Sequence, residues 1–354
     1  MMNTYSGLET IDKLIRDQKY LIVCGSGGVG KTTLSAAIAT RAAKAGKKTL
    51  VITVDPARRL MNALGLKSDD NPEPTRVDSC EGELYALMIN SKKIFDRFII
   101  KKLDDENASK LLENRVYKYV SIEWAGVHEY AALQVVSEYS KDVDFLVLDT
   151  PPTKNASDFF SAPNRFLNFL DRKVAKYFFG DNKTLIAKFF AKSGEIALSL
   201  LSKSMGQNAI SEILEFLSCM NPIVPQMQKF SEDLARILKA KETSFLYVTT
   251  PTWTHLAESK VFQEQLRKNE FKLSSLLVNR LWELNPEITL EKVERYLQEN
   301  EDNISEIKSE LGDISGLIHA EKQILSELEK VFGDIPTVKV SQQFNPDPLK
   351  IFEN

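Results

Sequence analysis

Residues 21–33 read LIVCGSGGVGKTT, an apolar strand that runs directly into a glycine-rich loop and then into a helical pattern. The segment satisfies GxxxxGK[ST] at every fixed position, from Gly25 to Gly30, Lys31 and Thr32. Glycines allow positive φ angles, so that successive backbone N–H groups can converge on phosphate oxygens at a helix N-terminus. The sequence therefore predicts a nucleotide site.

Each position of this loop has an expected role. Lys31 is expected to reach the β and γ phosphates, and the Thr32 hydroxyl to ligate Mg²⁺. The alternative, a glycine-rich strand-to-helix turn that binds nothing, is disfavoured because the preceding strand, the following helix and all fixed positions of the motif occur together. The predicted nucleotide-binding residues in the loop are Gly25, Ser26, Gly27, Gly28, Val29, Gly30, Lys31, Thr32 and Thr33.

Composition limits the other classes of function. The chain has 354 residues, of which 43% are hydrophobic, and its 46 Lys and Arg against 49 Asp and Glu give a net charge of -3. This balance gives no electrostatic reason to expect nucleic acid or an anionic membrane as a partner. The three cysteines, Cys24, Cys80 and Cys219, show no metal-ligand spacing. No signal peptide or membrane span is evident, so we expect a cytoplasmic protein without direct membrane insertion.

Short apolar runs alternate with helical patterns along the chain and predict an α/β fold with a doubly wound, mostly parallel sheet. The strand signal vanishes between about 159 and 238, where aromatic residues recur among polar segments. We therefore expect a P-loop core formed by 1–158 and 239–354, with 159–238 inserted as a subdomain of about five short helices. A second helical stretch is expected over 290–332. The predicted strands are 21–24, 49–54, 84–89, 145–148, 245–249, 276–278 and 337–340.

Two carboxylates follow predicted strands. Asp55 precedes Pro56 and, taken alone, is better explained as an ordinary helix cap. Asp149 ends the run FLVLD at the edge where open α/β sheets bind ligands, and a P-loop protein would use it for Mg²⁺. A plain turn into Pro151 and Pro152 is the alternative.

The motifs GSGGVGKTT, VDPARRLMNALG, DTPPTKNASDFF and LLVNR resemble, in order and spacing, the ArsA-type anion-transporting ATPase family. That family also contains the eukaryotic ATPase that targets tail-anchored membrane proteins. The resemblance covers roughly 20–340 and implies a P-loop NTPase fold, ATP and Mg²⁺ as cofactors, and a homodimer or a heterodimer with a paralogue. It also implies that Asp55 orients the attacking water beside Lys31, that Asp149 belongs to the second switch and that Asn279 reads adenine. A strand-ending turn role for Asn279 remains open.

The chain departs from the family pattern at two positions. Ser26 stands where the family carries a lysine that reaches the partner's nucleotide, and Asn155 stands where a histidine is common. Loss of a cation at the transferring phosphoryl group predicts slow turnover unless Arg58 or Arg59 substitutes, although both also suit a solvated helix face. Ser26 together with DPARRL and DTPP resembles a bacterial branch of the family. A CxxC zinc clamp is absent, and an arsenite site is not expected.

The predicted function is a Mg²⁺-dependent, ATP-hydrolysing dimeric switch whose nucleotide state is coupled to the helical subdomain. The alternative is a nucleotide-regulated binding module or chaperone for an apolar segment or partner protein, in which Met205, Met220 and Met227 line a groove, unless they simply fill the core. A ParA- or MinD-like positioning ATPase would need an amphipathic or basic surface that 341–354 does not offer. A GTPase would need an NKxD motif, which is absent. The sequence favours surface or packing roles for His128, His255 and His319.

Overall fold

A nine-stranded sheet, parallel except at its two edges, organises the chain. The computed structural model describes residues 5–54, 58–66, 73–123, 127–151, 209–268, 271–282, 304–343 and 347–352. The strand order is β1-β9-β8-β7-β2-β6-β3-β5-β4. The strands are β1 (Tyr5–Ser6), β2 (Tyr20–Gly25), β3 (Thr49–Thr53), β4 (Thr75–Arg76), β5 (Leu84–Met88), β6 (Phe145–Asp149), β7 (Thr243–Thr249), β8 (Leu273–Leu281) and β9 (Thr337–Ser341).

All seven strands predicted from apolar runs are present and pair in parallel, which confirms the predicted α/β class. The edge strands β1 and β4 are additional. Each has only two residues and pairs antiparallel, so neither leaves a periodic signal in the sequence. Every residue of β2, β3, β6 and β7 is buried, as expected for parallel strands covered on both faces.

The helices of the described residues connect and cover these strands. They are α1 (Leu8–Asp17), α2 (Lys31–Lys44), α3 (Arg59–Ala63), α4 (Ser91–Lys102), α5 (Asp105–Glu113), α6 (Arg115–Glu123), α7 (Val127–Tyr139), α8 (Ala209–Met220), α9 (Val224–Lys239), α10 (Trp253–Lys268) and α11 (Ile304–Phe332). The predicted helical stretch 290–332 appears as α11, and residues 283–303 lie outside the described part. No helix in the described ranges has the length and apolarity that crossing a bilayer requires.

The position of β2 in the sheet determines where the glycine-rich loop lies. β2 is paired with β6 on one side and β7 on the other, although neither neighbour is the next strand along the chain. In register, Val23 of β2 faces Asp149 of β6, and Gly25 faces Val248 of β7. The carboxyl ends of the three strands therefore meet at one edge, the usual ligand-binding edge of such sheets.

The chain divides into two compact units. The first comprises Met1–Met88, Glu138–Ser157 and Ile237–Asn354 and contains the whole sheet. The second comprises Ile89–Ser137 and Asp158–Arg236. The segment Ile89–Ser137 thus belongs to the second unit, whereas it was predicted to be part of the P-loop core. Its two halves are far apart in the chain, and no composition change marks the first one.

Inside the second unit, Asn114 joins the described helices. Its side chain caps α6 by accepting from the backbone N–H groups of Val116 and Tyr117, at 2.9 and 3.2 Å. The same amide donates to the carbonyl of Glu212 and the carboxylate of Glu215 on α8, at 2.9 and 3.0 Å. Of the predicted insertion 159–238, residues 159–208 lie outside the described part, so its boundaries and its helix count stay predictions.

The methionines proposed to line a groove can be placed only in part. Met220 and Met227 are both buried, and Met205 lies outside the described residues. Interior positions are what core packing of an amphipathic helix requires.

Candidate nucleotide-binding site

The loop between β2 and α2 depends on glycine at both of its ends. Gly25 has φ 152°, and a Cβ there would stand 2.2 Å from the carbonyl oxygen of Val248 on β7. Gly30 has φ 95° and forms the N-cap of α2. At both positions an L side chain would be strained, which explains why the motif fixes glycine there.

Val29 and Asn279 anchor the middle of the loop. Gly27 and Gly28 are exposed, whereas the Val29 side chain is fully buried in the core. Asn279, near the end of β8, donates from Nδ2 to the Val29 carbonyl at 2.9 Å. The same nitrogen would stand 2.5 Å from a Cβ on Gly30. Asn279 therefore holds the loop itself.

Backbone strain accompanies this anchor. Arg280, directly after Asn279, is the non-glycine residue of the described ranges with positive φ, at 63°. Its N–H donates to Oδ1 of Asn279 at 2.9 Å, and the β8–β9 register shifts at this point. Bulges and strained residues of this kind concentrate at functional edges of sheets. Both ends of the Asn279 amide are thus engaged by backbone groups.

Lys31 is folded back over the loop. Its Nζ donates to the carbonyls of Gly25 and Ser26, at 2.9 and 2.7 Å, and the residue is only 6% exposed. A phosphate cradled by the loop would compete with these carbonyls for the same ammonium group. The residue that the motif assigns to the β and γ phosphates is therefore positioned at the loop.

Asp149 lies beside the first turn of α2. Its Oδ2 accepts hydrogen bonds from the Thr32 hydroxyl at 2.7 Å and from the Thr53 hydroxyl at 2.8 Å. The carboxylate is 1% exposed. A threonine hydroxyl next to a buried carboxylate is an oxygen donor set of the type that Mg²⁺ prefers. The residues present therefore fit the metal that the fold family implies.

Neighbouring backbone contacts fix the carboxylate in place. Thr150 donates to the Val23 carbonyl from both its N–H and its hydroxyl, at 3.2 and 2.9 Å. The N–H of Val54 donates to the Asp149 carbonyl at 3.2 Å. Sequence reasoning missed Thr53 and Thr150, because a threonine in or after a buried strand carries no signal that distinguishes it from an ordinary β-former.

Ser26 is buried at the start of the loop. It is 6% exposed, and its side chain lies close enough to Tyr247 on β7 to influence the pKa of that hydroxyl. The Ser259 hydroxyl on α10 lies 3.4 Å from the same phenol oxygen. Burial raises the pKa of Tyr247, so its hydroxyl stays protonated and able to donate. The residue at the family's lysine position thus faces the interior of its own chain.

A cavity of about 270 Å³ adjoins the loop on the β8–β9 side. Its wall combines the start of α2 with the ends of β8 and β9. The Ser341 hydroxyl is buried and has no hydrogen-bond partner among the described residues. A buried polar group of this kind favours a polar ligand or water as its neighbour. The lining includes Gly30, Thr33, Asn279, Ser341, Gln343 and Ile351.

His255 on α10 lies near the same edge of the sheet. Its Nδ1 is 2.5 Å from the hydroxyl of Thr250, the residue after β7. Burial is the largest cause that lowers the pKa of His255; Glu258 opposes it, while Arg280 and Lys31 lower the pKa further. The side chain is thus within electrostatic reach of the loop lysine. A lone histidine in a helical pattern gave no sequence signal for this position.

The remaining predicted residues are either outside the described part of the chain or exposed. Asp55 and Asn155 lie outside the described residues, and their predicted roles stay predictions. Arg58 and Arg59 are both exposed at the start of α3, as a solvated helix face requires. The structure therefore places the loop, Asp149 and Asn279 together.

The chain is similar to known proteins over most of its length. The family model described as "Anion-transporting ATPase" matches residues 18–329. The chain is 27% identical over 281 residues to "ATPase ASNA1 homolog" of Dictyostelium discoideum, covering 77% of this chain and 75% of that protein. It is 24% identical over 279 residues to "ATPase ASNA1 homolog 1" of Paramecium tetraurelia, covering 77% and 78%. It is also 24% identical over 288 residues to "ATPase GET3B" of Arabidopsis thaliana, covering 75% and 64%. The chain therefore belongs to the anion-transporting ATPase family.

Proposed function

We propose that this protein is a Mg²⁺-dependent ATPase that works as a dimeric switch. The observation that carries the proposal is the 2.7 Å hydrogen bond between the Thr32 hydroxyl and the Asp149 carboxylate, next to the ammonium group of Lys31. In P-loop NTPases this trio binds the metal and the β and γ phosphates. The hydrogen bond brings the two predicted metal ligands to the first turn of the phosphate-binding helix.

Binding would use groups that the fold already positions. The backbone N–H groups at the N-terminus of α2 face the anion, and Lys31 supplies the positive charge. Thr32 and Asp149 would hold Mg²⁺, which would supply neutralisation of charge on the phosphate oxygens. Thr53, which donates to Asp149 at 2.8 Å, orients that carboxylate.

Hydrolysis would proceed by in-line attack of water on the γ-phosphorus, in which positioning and electrostatics contribute most of the rate. We assign the orientation of that water to Asp55, on the strength of the DPA motif. Lys31 stabilises the charge that accumulates on the transferred group. The proton of the water leaves with the inorganic phosphate, and ADP is the other product.

The base would occupy the 270 Å³ cavity beside Gly30 and Asn279. The Ser341 hydroxyl and the Gln343 amide offer polar groups to an adenine edge. Asn279 contributes to the cavity wall and supports the loop through Val29. Both ends of its amide already hydrogen-bond to backbone groups, so only the remaining hydrogen-bonding capacity of the amide would be available to the base. This supports adenine reading by the cavity as a whole.

The proposed turnover is slow. Ser26 is buried against Tyr247 and brings no cation to a partner's nucleotide. The exposed Arg58 and Arg59 would have to be recruited from α3 to replace it. The same observation favours the second candidate function, a nucleotide-regulated binding module or chaperone for an apolar segment, with little intrinsic hydrolysis.

The proposed partners are a second copy of this chain or a paralogue that carries the missing lysine, and a client protein with an apolar segment. Sedimentation of the purified chain with ATP and with ADP tests the dimer. A monomer under both conditions would contradict it. Mixing with a lysine-bearing paralogue tests the second arrangement, because a competent heterodimer would hydrolyse ATP faster than either chain alone.

Steady-state ATP hydrolysis of Lys31→Ala and Asp55→Asn, measured with Mg²⁺ and with a chelator, tests the enzymatic proposal. We expect each variant to lose roughly 10²-fold or more of the Mg²⁺-dependent rate. Lys110→Ala is the matched control, since Lys110 forms an exposed pair with Glu106 at 2.6 Å on α5, in the second unit. Unchanged hydrolysis in both Lys31→Ala and Asp55→Asn would overturn the proposal.

A further inference from the structure

The segment 347–352, here called the C-terminal segment, links the base cavity to the helix behind the phosphate loop. Ile351 lines the cavity together with Gly30 and Asn279. Ile351 and Phe352 are both buried in the main core cluster. The segment is turned locally by Asp347, whose carbonyl accepts from the N–H of Ile351 at 3.0 Å. One wall of the cavity therefore depends on how this segment is docked.

Arg41 on α2 holds the end of the segment. Its Nη1 donates to the carbonyl oxygen of Phe352. The other side of the guanidinium forms a forked pair with Asp12 on α1, with Nε to Oδ1 at 2.6 Å and Nη2 to Oδ2 at 2.9 Å. A single side chain thus joins α1, α2 and the C-terminal segment.

The electrostatics of this junction favour its charged form. The hydrogen bond from Arg41 lowers the pKa of Asp12, and the hydrogen bond to Asp12 raises the pKa of Arg41. The Arg41 side chain is 17% exposed and the Asp12 side chain 47%, so the guanidinium is the better shielded half of a pair whose hydrogen bonds are charge-assisted. Because the guanidinium is planar, its two hydrogen bonds to Asp12 also fix the direction of Nη1. Nη1 is the atom that donates to the Phe352 carbonyl.

A second cation one turn along α2 acts in the same way. Lys44 Nζ donates to the carbonyl of Leu349 at 3.1 Å. Both contacts are made to main-chain oxygens, so they fix the path of the segment rather than any particular side chain. Arg41 is the more buried of the two and carries the forked pair.

We propose that Arg41 is a positioning residue for the nucleotide base: by holding Phe352, it keeps Ile351 against the cavity and so increases affinity for the base portion of the nucleotide. The inference rests on the proposed function, because it needs a nucleotide in this site. The phosphate and metal groups Lys31, Thr32 and Asp149 lie at the start of α2, whereas Arg41 lies in its last turn. Base affinity and phosphate affinity should therefore separate when Arg41 is changed.

Calorimetric titration with Mg-ATP and with Mg-tripolyphosphate tests this separation. We expect Arg41→Ala to weaken ATP binding at least about fivefold, a typical coupling between two linked parts of a structure, and to leave tripolyphosphate binding unchanged. Arg41→Lys keeps the charge and loses the fork, so its loss for ATP should be smaller. Lys330→Ala is the control, because Lys330 on α11 forms an exposed pair with Glu327 at 2.5 Å.

Linkage supplies a second readout. If the segment improves base binding, ATP must stabilise its docking to the same extent, and tripolyphosphate must not. Hydrogen exchange of the Ile351 N–H, bonded to the Asp347 carbonyl, should slow with Mg-ATP alone. This measurement uses the native chain and does not depend on how any variant folds. If Arg41→Ala fails to fold, the calorimetric titration is made with Asp12→Asn and Arg41→Lys instead.

The outcomes are distinct. An equal loss for both ligands in Arg41→Ala, or no loss for either, overturns the positioning role. Equal protection of Ile351 by ATP and tripolyphosphate also overturns it. If the native protein binds neither ligand, the proposed function itself is overturned. If the native protein and Arg41→Ala bind ATP equally well, only this inference is overturned.

Discussion

The Thr32 hydroxyl donates to Oδ2 of Asp149 across 2.7 Å, although 117 positions separate the two residues in the chain. The parallel pairing of β2 with β6 brings them together, since Val23 and Asp149 are register partners and Thr32 lies in the first turn of the helix that follows β2. The metal-binding proposal therefore depends on two side chains whose contact is set by the sheet.

Replacing Thr32 separates metal binding from nucleotide binding. Thr32→Ala removes one oxygen donor and should weaken Mg²⁺ binding by roughly 10–100-fold, raising the Mg²⁺ concentration needed for half-maximal hydrolysis. Thr32→Ser keeps the hydroxyl and should stay near the native value. The measurement is hydrolysis as a function of Mg²⁺ at saturating ATP. An equal Mg²⁺ requirement in Thr32→Ala and the native chain would contradict the assignment.

Gly30 and Asn279 should interact when both are changed. Gly30→Ala forces a Cβ to 2.5 Å from Nδ2 of Asn279 and strains a residue with φ 95°. The strain should cost about 1–2 kcal/mol, and the clash adds to it. Asn279→Ala removes the clashing amide, so the double variant should lose less stability than the sum of the two single variants, by about 0.5–3 kcal/mol. Urea unfolding measures the four free energies.

Gly46→Ala is the control for that cycle. Gly46 has φ 87°, and a Cβ there would meet nothing within 4 Å. It should therefore show the strain without the clash, and its effect should add to that of Asn279→Ala. If the destabilising effects of Gly30→Ala and Asn279→Ala were also strictly additive, the close approach of Asn279 to position 30 would not contribute to the cost of a side chain there.

How far the sequence predicts the site depends on whether a residue's role is local. The loop and Asp149 were predictable because fixed spacing and a strand-ending carboxylate are local patterns. The contact of Asn279 with Val29, 250 positions away, was not, because nothing in LLVNR specifies that β8 ends beside the loop. The burial of Ser26 is similar, since it depends on Tyr247 from a neighbouring strand.

The same distinction applies to the fold. Long buried strands such as β2 and β7 have apolar runs that identify them, whereas β1 and β4 form only because a neighbouring edge is available. The segment Ile89–Ser137 joins the second unit through contacts with α8, more than ninety residues later, as the Asn114 hydrogen bonds to Glu212 and Glu215 illustrate. Local composition contains no record of such pairings.

His255 should make stability depend on pH. Burial lowers its pKa below the ordinary 6.5, so the unfolded chain binds the proton more readily than the folded one. The contribution is fully present above about pH 6.5 and is lost as the pH falls toward the folded pKa. Unfolding free energies at about pH 7.5 and about pH 5.5 should therefore differ more in the native chain than in His255→Gln. His319→Gln, at an exposed position on α11, is the control, and an identical pH difference in His255→Gln and the native chain would contradict the prediction.

The three cysteines should resist alkylation while the chain is folded. Burial raises the pKa of Cys24 to about 12 and also raises the pKa values of Cys80 and Cys219. Because the thiolate is the reactive form, iodoacetamide at about pH 8 should label none of them in the native protein and all three in urea. Mass spectrometry counts the adducts. Rapid native labelling of Cys24 would show that the end of β2 opens beside the phosphate loop, whereas protection that is lost only on global unfolding would place that strand among the most stable parts of the fold.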